Sequence, residues 1–356
     1  MKRIVLIIIW LCAILWGCDV SGPLPRSTED GDIVRLELIP QYGRPDTRSG
    51  HHPDPDPPEP QDFIRDGLIL EFNGAGHLME RLAFEGDQPP AIQVRKNQET
   101  HIYVVANPTV DLSGINTLSE FLSFRSSYAA MARDRLEMTG RITGTFTSDA
   151  QVNVQMERMV SGIRVGGMSV KIYRDEKYTS VQFTRANMEK TPATCGYDLS
   201  LTGDYVNAYN KGIEAGYVSS FGSIDKSVQG DWTAFDFNTP WWVYCYPNPS
   251  EVQEERNVLA ISYRLGYIVT GTDSETGDTV YMQRWDDSLV RLVLPTLRPN
   301  TVYELEKLTL YGFKYRTVYL KSGGDMVNEP LKCVFRMTDM TSGEYLGSEE
   351  GEVLYE

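Results

Sequence analysis

Short runs in which apolar and polar residues alternate recur along most of this chain. The first is 32–40 (DIVRLELIP), where Val34, Leu36 and Leu38 share one face of an extended chain. Side chains of a strand point alternately to its two faces, so this period of two predicts a strand with one apolar side. We expect that side to be buried in a sheet.

Further runs of the same kind predict strands on both sides of a central region rich in Gly, Tyr and Asn. Before that region the predicted strands are 68–72, 91–94, 101–106, 141–146, 152–156, 163–172 and 180–185. After it they are 241–246, 258–267, 279–285, 289–294, 302–311, 316–320 and 331–337. Hairpin-like turns separate several of them, at 276–278, 298–300 and 322–324.

One segment has helical spacing instead. Thr117 and Glu120 form a capping box, the pattern that starts a helix, and an apolar stripe follows them. The stripe consists of Leu118, Phe121, Leu122, Tyr128 and Met131. The spacing predicts a short helix that extends to about Arg133 and packs over the end of a sheet.

These elements predict an all-β chain with two tandem β-sandwich domains. A length of 356 residues exceeds a typical single core, and each half has the six or more strands that a sandwich requires. We place the N-terminal sandwich, which includes the helix, at 32–190 and the C-terminal sandwich at 191–356.

The first 17 residues have a different pattern. Lys2 and Arg3 precede an unbroken apolar run at 4–16, and Gly17 is followed by Cys18. The run is shorter than the ~20 residues that cross a bilayer. This order is typical of a lipoprotein signal peptide at 1–17, with lipid such as palmitate attached at Cys18. The alternatives are an ordinary secretory signal or a single membrane span.

Two polar segments flank the first predicted strand. Residues 18–31 are small and polar and are typical of a flexible tether. Residues 43–62 are too rich in Pro, Asp and Gly to bury much surface, and we expect an exposed loop. Arg44 and Arg48 in this loop are possible sites for a trypsin-like protease. A cut there would separate the first strand from the rest of the chain.

Charge and cysteine content narrow the possible partners. The net charge of −15 becomes −17 when Lys2 and Arg3 are removed, which disfavours nucleic acid and anionic lipid surfaces. Attachment to a membrane would therefore depend on the lipid. Cys195, Cys245 and Cys333 remain in the exported chain, so at most one disulfide forms among them, and its pairing stays open.

The sequence contains no catalytic motif, and we predict no enzyme activity, cofactor or metal. His51 and His52 with Asp54 and Asp56 are weak candidate metal ligands, because an unrestrained loop organises them poorly. The acidic segment 273–278 is partly similar to a calcium loop, but it lacks the regular ligand spacing. A solvated hairpin turn is the favoured interpretation of that segment.

Trp241 and Trp242 support an alternative function. A tryptophan on a sandwich can stack on sugar rings, so the chain could be a surface glycan-binding lipoprotein. Neighbouring residues of a strand face opposite ways, and we expect at least one of the two rings to lie in the core or at its edge.

Several segments together resemble the fimbrillin superfamily of Bacteroidetes fimbrial proteins. In the N-terminal half they are 102–107 (IYVVAN), 138–140 (MTG) and 152–158 (VNVQMER). In the C-terminal half they are 244–249 (YCYPNP) and 297–305 (LRPNTVYEL). Their order and spacing follow the family over most of the chain after residue 18.

The resemblance implies a lipoprotein precursor with two transthyretin-like sandwich domains, exposed at the outer membrane. Such proteins assemble into a fimbria by strand exchange. The implied partners are other fimbrial subunits, the membrane through its lipid anchor, and a ligand on a host or bacterial surface.

The residues suggest which strand is exchanged. The strand that carries Val34, Leu36 and Leu38 would be released by a cut after Arg44 or Arg48 and replaced by a strand of another subunit. The segment from Leu331 onward is a candidate donor. In the alternative, the loop is not cut and the subunit remains an anchor on the membrane.

Overall fold

The computed structural model describes residues 33–42, 64–131, 135–173, 177–206, 225–229, 232–237, 241–248, 250–252, 255–311 and 331–355. The predicted signal peptide, the tether with Cys18, and the loop with Arg44 and Arg48 lie outside the described residues. The predicted strand at 316–320 lies outside them as well. Within these ranges no helix has the length and apolar content needed to span a membrane.

The described chain is built almost entirely of strands, with one α-helix, α1 (Leu118–Ser123). The strands of its first half are β1 (Ile33–Gln41), β2 (Asp66–Asn73), β3 (Leu78–Glu85), β4 (Ile92–Arg95), β5 (Glu99–Ala106), β6 (Arg125–Ser127), β7 (Met138–Thr145), β8 (Ala150–Gln155), β9 (Glu157–Arg158), β10 (Ser161–Val165), β11 (Met168–Tyr173) and β12 (Tyr178–Glu189). Those of its second half are β13 (Thr191–Gly196), β14 (Leu201–Val206), β15 (Asp225–Gln229), β16 (Trp232–Phe237), β17 (Trp241–Cys245), β18 (Val258–Thr272), β19 (Thr279–Val293), β20 (Thr301–Leu305), β21 (Leu308–Tyr311), β22 (Leu331–Asp339) and β23 (Tyr345–Tyr355).

The N-terminal sandwich has two sheets. A three-stranded sheet in the order β4-β1-β8 faces a five-stranded sheet in the order β3-β2-β5-β7-β9. One apolar cluster contains side chains from both, among them Leu36 and Val94 from the first sheet and Ile69 and Val104 from the second. All four are at most 4% exposed. The cluster is therefore the interior between the two sheets.

The C-terminal part has an eight-stranded sheet in the order β12-β18-β19-β23-β22-β20-β10-β17 and a four-stranded sheet in the order β15-β16-β11-β21. A further small sheet in the order β14-β13-β6 joins 125–127 to 191–206. The predicted all-β class with tandem sandwiches is confirmed by this architecture. The strands within 161–189 (β10, β11 and β12) pair with strands that follow residue 231. The predicted domain division placed 161–189 in the N-terminal sandwich.

The helix begins as predicted and ends earlier. The Thr117 hydroxyl accepts a bond of 3.2 Å from the Glu120 amide, and the Glu120 carboxylate accepts one of 3.0 Å from the Thr117 amide. The helix stops at Ser123 because Phe124 is extended and β6 then pairs with β13. The predicted extension to about Arg133 is therefore wrong. A single 3-10 turn at Tyr128–Ala130 accounts for part of the apolar spacing.

The predicted strand at 163–172 is two strands, β10 and β11, separated at Gly166-Gly167. β10 runs parallel to β20 in the eight-stranded sheet, and β11 runs parallel to β21 in the four-stranded sheet. The segment that contains β10 and β11 and the segment that contains β20 and β21 therefore cross from one sheet to the other side by side. A Cβ at Gly166 would lie 2.6 Å from the carbonyl oxygen of Glu306, so the close approach requires glycine.

Candidate functional site

The first strand occupies the middle of the three-stranded sheet. β1 pairs antiparallel with β4 through Ile33–Leu36 and parallel with β8 through Leu36–Gln41. Each neighbouring strand therefore pairs with only about half of β1, and Leu36 is the one residue of β1 that pairs with both. Without β1, β4 and β8 would each have an unpaired edge facing the gap.

One face of β1 is part of the core. Val34 is 4% exposed, Leu36 0% and Leu38 5%, and they pack in the cluster that also contains Ile92 and Val154. The alternate side chains of β1 face outward or lie at the edge of the sheet. Burial of an aliphatic side chain contributes on the order of 2 kcal/mol, so this face is the main source of stability for the strand.

The outer face of β1 has only exposed polar contacts. The Arg35 amide donates a bond of 2.8 Å to the Asp149 carboxylate, and the Gln151 side chain donates one of 3.0 Å to the Glu37 carboxylate. Arg35 and Glu37 lie 3.9 Å apart as an exposed ion pair. Such pairs stabilise a fold by about 0–1 kcal/mol, so the outer face can change without loss of the strand.

The C-terminal end of β1 is held by buried groups. The Met156 amide donates to the Gln41 carbonyl at 2.9 Å, and the Arg158 guanidinium donates to the Tyr42 carbonyl at 3.0 Å. The Tyr42 hydroxyl donates to Asp87 at 3.1 Å. Burial, together with the Asp87 charge, raises the pKa of Tyr42 to about 12. Tyr42 therefore stays protonated at neutral pH and keeps this hydrogen bond.

The predicted donor segment is an internal part of the eight-stranded sheet. β22 pairs with β20 and β23, and β23 pairs with β22 and β19. Phe335, Met337 and Val353 are at most 5% exposed. The two strands from Leu331 onward are thus paired with each other, and they are paired on both sides at 336–338 and 352–353. The segment would have to separate from β19 and β20 before it could enter another subunit.

The tryptophan pair does not form an open platform at Trp242. This side chain is 6% exposed, and its ring stacks on Tyr244 with centroids 6.0 Å apart. The Arg164 guanidinium lies 5.9 Å from the centroid of the same ring. The side chain of Trp241 lies outside the described set. Sugar stacking on Trp242 would require part of the core to open.

The acidic segment at 273–278 is a turn that uses its own polar groups. The Asp273 carboxylate accepts bonds from the amides of Glu275 at 2.8 Å and Thr276 at 3.3 Å. Gly277 has a φ of 73°, which favours glycine. Among the described residues no group of three His, Cys, Asp or Glu side chains is placed to bind a metal. The candidate ligands His51 and His52 lie outside those residues.

The three cysteines of the described chain are free thiols. Burial is the main cause that raises the pKa of Cys195 to about 12 and that of Cys333 to about 11. Burial raises the pKa of Cys245 as well. All three thiols are therefore protonated at neutral pH and poorly reactive.

A buried polar cluster that no sequence motif predicts surrounds Glu137, which is 2% exposed. Its carboxylate accepts a bond of 2.6 Å from the Thr109 amide and also accepts from the Ser126 hydroxyl. The Ser126 hydroxyl lies 2.7 Å from that of Tyr246, on the C-terminal side of the molecule. Glu137 stands between Leu136 and Met138, and a carboxylate flanked by two apolar residues is only a weak signal in the sequence.

Solved structures of proteins named for cell adhesion or for fimbriae are similar to this chain, each with a TM-score below 0.5. A candidate cell adhesion protein of Parabacteroides distasonis has a TM-score of 0.47 and 15% identity, with 79% of this chain and 88% of that chain covered. One of Bacteroides eggerthii has a TM-score of 0.43 and 17% identity, with 91% and 95% covered. The fimbrial anchor protein Mfa2 of Porphyromonas gingivalis has a TM-score of 0.35 and 12% identity, with 89% and 99% covered.

The names of these three neighbours describe cell adhesion and fimbrial proteins. No family model matches the sequence, and no curated protein matches it.

Proposed function

We propose that this chain is a structural or adhesive subunit of a bacterial surface fimbria. In this proposal it is exported as a lipoprotein attached through Cys18, and it is assembled by exchange of β1. The observation that carries the proposal is the position of β1. A strand with a buried apolar face, in the middle of a sheet, is joined to β2 only through residues 42–65.

The first step in this proposal is a cut after Arg44 or Arg48. β1 would then remain in place only through its hydrogen bonds to β4 and β8 and through its apolar face. Departure of the cut strand would leave backbone donors and acceptors of both neighbours unpaired above the apolar core, a site that accepts an extended strand.

The second step is replacement of β1 by a strand from another subunit. The incoming strand would run antiparallel to β4 and parallel to β8, as β1 does. It would need apolar side chains at three alternate positions to fill the space of Val34, Leu36 and Leu38. A strand with polar residues at those positions would bury groups without partners, which costs stability.

A disulfide between β1 and β8 tests this proposal. Glu37 and Gln151 are paired across the two strands and are hydrogen-bonded on the exposed face. The purified exported protein with Glu37→Cys and Gln151→Cys would be oxidised, treated with trypsin and examined for polymers by electron microscopy. We expect no polymers from the oxidised protein and polymers after reduction, because only the reduced protein can release β1.

The single variant Glu37→Cys is the matched control, and it should polymerise under both conditions. Polymers from the oxidised, trypsin-cut double variant would refute exchange of β1. N-terminal sequencing of native fibres gives a second test. Fibres whose subunits still begin at Cys18 would instead favour an uncut subunit that serves as a membrane anchor.

A further inference from the structure

The end of β1 and the turn of the C-terminal hairpin β22–β23 meet in one buried polar cluster. We call Met156, Arg158, Asn300 and Thr341 the junction. Each of them is at most 4% exposed. Met156 and Arg158 belong to the N-terminal sandwich, whereas Asn300 precedes β20 and Thr341 lies in the hairpin turn. The junction therefore connects chain segments that are far apart in sequence.

On one side, the junction holds main-chain carbonyls of the first segment. Met156 donates its amide to the Gln41 carbonyl at 2.9 Å, and Arg158 donates its guanidinium to the Tyr42 carbonyl at 3.0 Å. Both acceptors leave if β1 leaves. Two buried donors would then lack these partners and would have to shift to find others.

On the other side, the same two residues hold the hairpin turn. The Thr341 hydroxyl lies 2.8 Å from the Met156 carbonyl oxygen and 3.1 Å from Asn300 Oδ1, so its single proton is shared between two acceptors. The Arg158 amide donates to the same Asn300 oxygen at 3.1 Å. The main-chain carbonyl of Asn300 in turn accepts a hydrogen bond of 2.7 Å from the Met340 amide. A shift of Met156 or Arg158 would therefore disturb the turn.

We propose that the junction couples β1 to the C-terminal hairpin. A seated β1 stabilises the turn between β22 and β23, and withdrawal of β1 loosens it. Coupling between two sites is reciprocal, so a change in the turn must also loosen β1. If β1 is exchanged during assembly, which rests on the proposed function, its release would favour opening of the C-terminal hairpin.

Hydrogen exchange on the full exported chain tests the reciprocal effect. Thr341→Val keeps the side-chain shape and removes the hydroxyl. We expect the amides of β1 to exchange about tenfold faster, as loss of about one hydrogen bond predicts. Thr341→Ser keeps the hydroxyl and should restore the original exchange. Ser342→Ala is the matched control, because it removes a bond to Asp339 in the same turn without a contact to Met156.

The forward effect is measured with Leu38→Ala, which weakens β1 from inside the N-terminal core. We expect faster exchange of the Met340 and Thr341 amides, with Ile39→Ala on the outer face as the control. Unchanged β1 exchange in Thr341→Val, or unchanged turn exchange in Leu38→Ala, would overturn the coupling. Both measurements use uncut monomers, so failure of the disulfide test would refute strand exchange and leave this inference standing.

Discussion

The hydroxyl of Tyr197 donates a hydrogen bond of 3.0 Å to the carboxylate of Glu137. Tyr197 follows β13 of the small sheet, and Glu137 precedes β7 of the N-terminal sandwich. Burial is the largest influence on the pKa of the Glu137 carboxyl, and it raises this pKa above its usual value of 4.5. The contact between these two parts of the molecule is therefore sensitive to pH.

Glu137→Gln should change the dependence of stability on pH. A carboxyl whose pKa is higher in the folded state contributes stability that is fully present below its unfolded pKa and is lost as pH rises through the folded pKa. Each unit of pKa shift corresponds to about 1.4 kcal/mol. As pH rises above the usual carboxyl pKa and through the raised folded pKa, the unfolding free energy of the unaltered protein should therefore fall relative to that of Glu137→Gln.

Urea unfolding at several pH values measures this difference. Glu157→Gln, at an exposed position in β9, is the control and should follow the unaltered protein. Parallel curves for the unaltered protein and Glu137→Gln would contradict the prediction.

Leu36→Ala should lower the unfolding free energy by about 2–5 kcal/mol, the usual range for truncation of a buried leucine. Leu36 is 0% exposed and is the residue at which β1 pairs with both neighbours. Ile39→Ala on the opposite face, where Ile39 is 38% exposed, should cost much less. Denaturant unfolding compares the two. Equal losses would mean that the apolar face of β1 does not hold the strand.

Gly166→Ala should destabilise the crossing between the two C-terminal sheets by about 1–3 kcal/mol, the usual cost of overpacking. The added methyl group would meet the carbonyl oxygen of Glu306 at 2.6 Å. Gly114→Ala is the control, since a Cβ there has no neighbour within 4 Å. Thermal unfolding should show a lower midpoint for Gly166→Ala alone. An unchanged midpoint would show that the crossing can adjust.

Trp242→Ala should lower the unfolding free energy by about 3–5 kcal/mol, the usual cost of truncating a buried aromatic ring. Trp242→Phe keeps most of the packing and is the variant for binding measurements. We expect the folded Trp242→Phe protein to have the same response to a panel of polysaccharides as the unaltered protein. Loss of polysaccharide binding with unchanged stability would favour the glycan-binding alternative.

The elements that the sequence predicts correctly are those that one local pattern determines. Val34, Leu36 and Leu38 were assigned to one apolar face by a period of two, and their side chains do lie in the core. The start of the helix was found because its capping box lies within four residues, Thr117 to Glu120. The predicted strands at 68–72, 101–106 and 258–267 lie inside β2, β5 and β18 for the same reason.

The remaining features depend on distant partners. The helix ends at Ser123 because the next residues pair with β13, almost seventy positions later. β10 and β11 divide at Gly166 because β20 and β21 change sheets beside them. The junction joins Tyr42, Arg158 and Thr341 through backbone carbonyls and buried polar side chains. No local pattern of apolar residues contains that information.

The division of β1 between two neighbours has a consequence for the order of events in strand exchange. The residues of β1 before Leu36 pair with β4, and the residues after Leu36 pair with β8. In the proposed exchange, an incoming strand would displace one half of β1 while the other half still covers the apolar interior, with Leu36 as the point of division. Such stepwise replacement is the alternative to complete departure of β1 before the second strand binds, and it would keep part of the groove covered throughout.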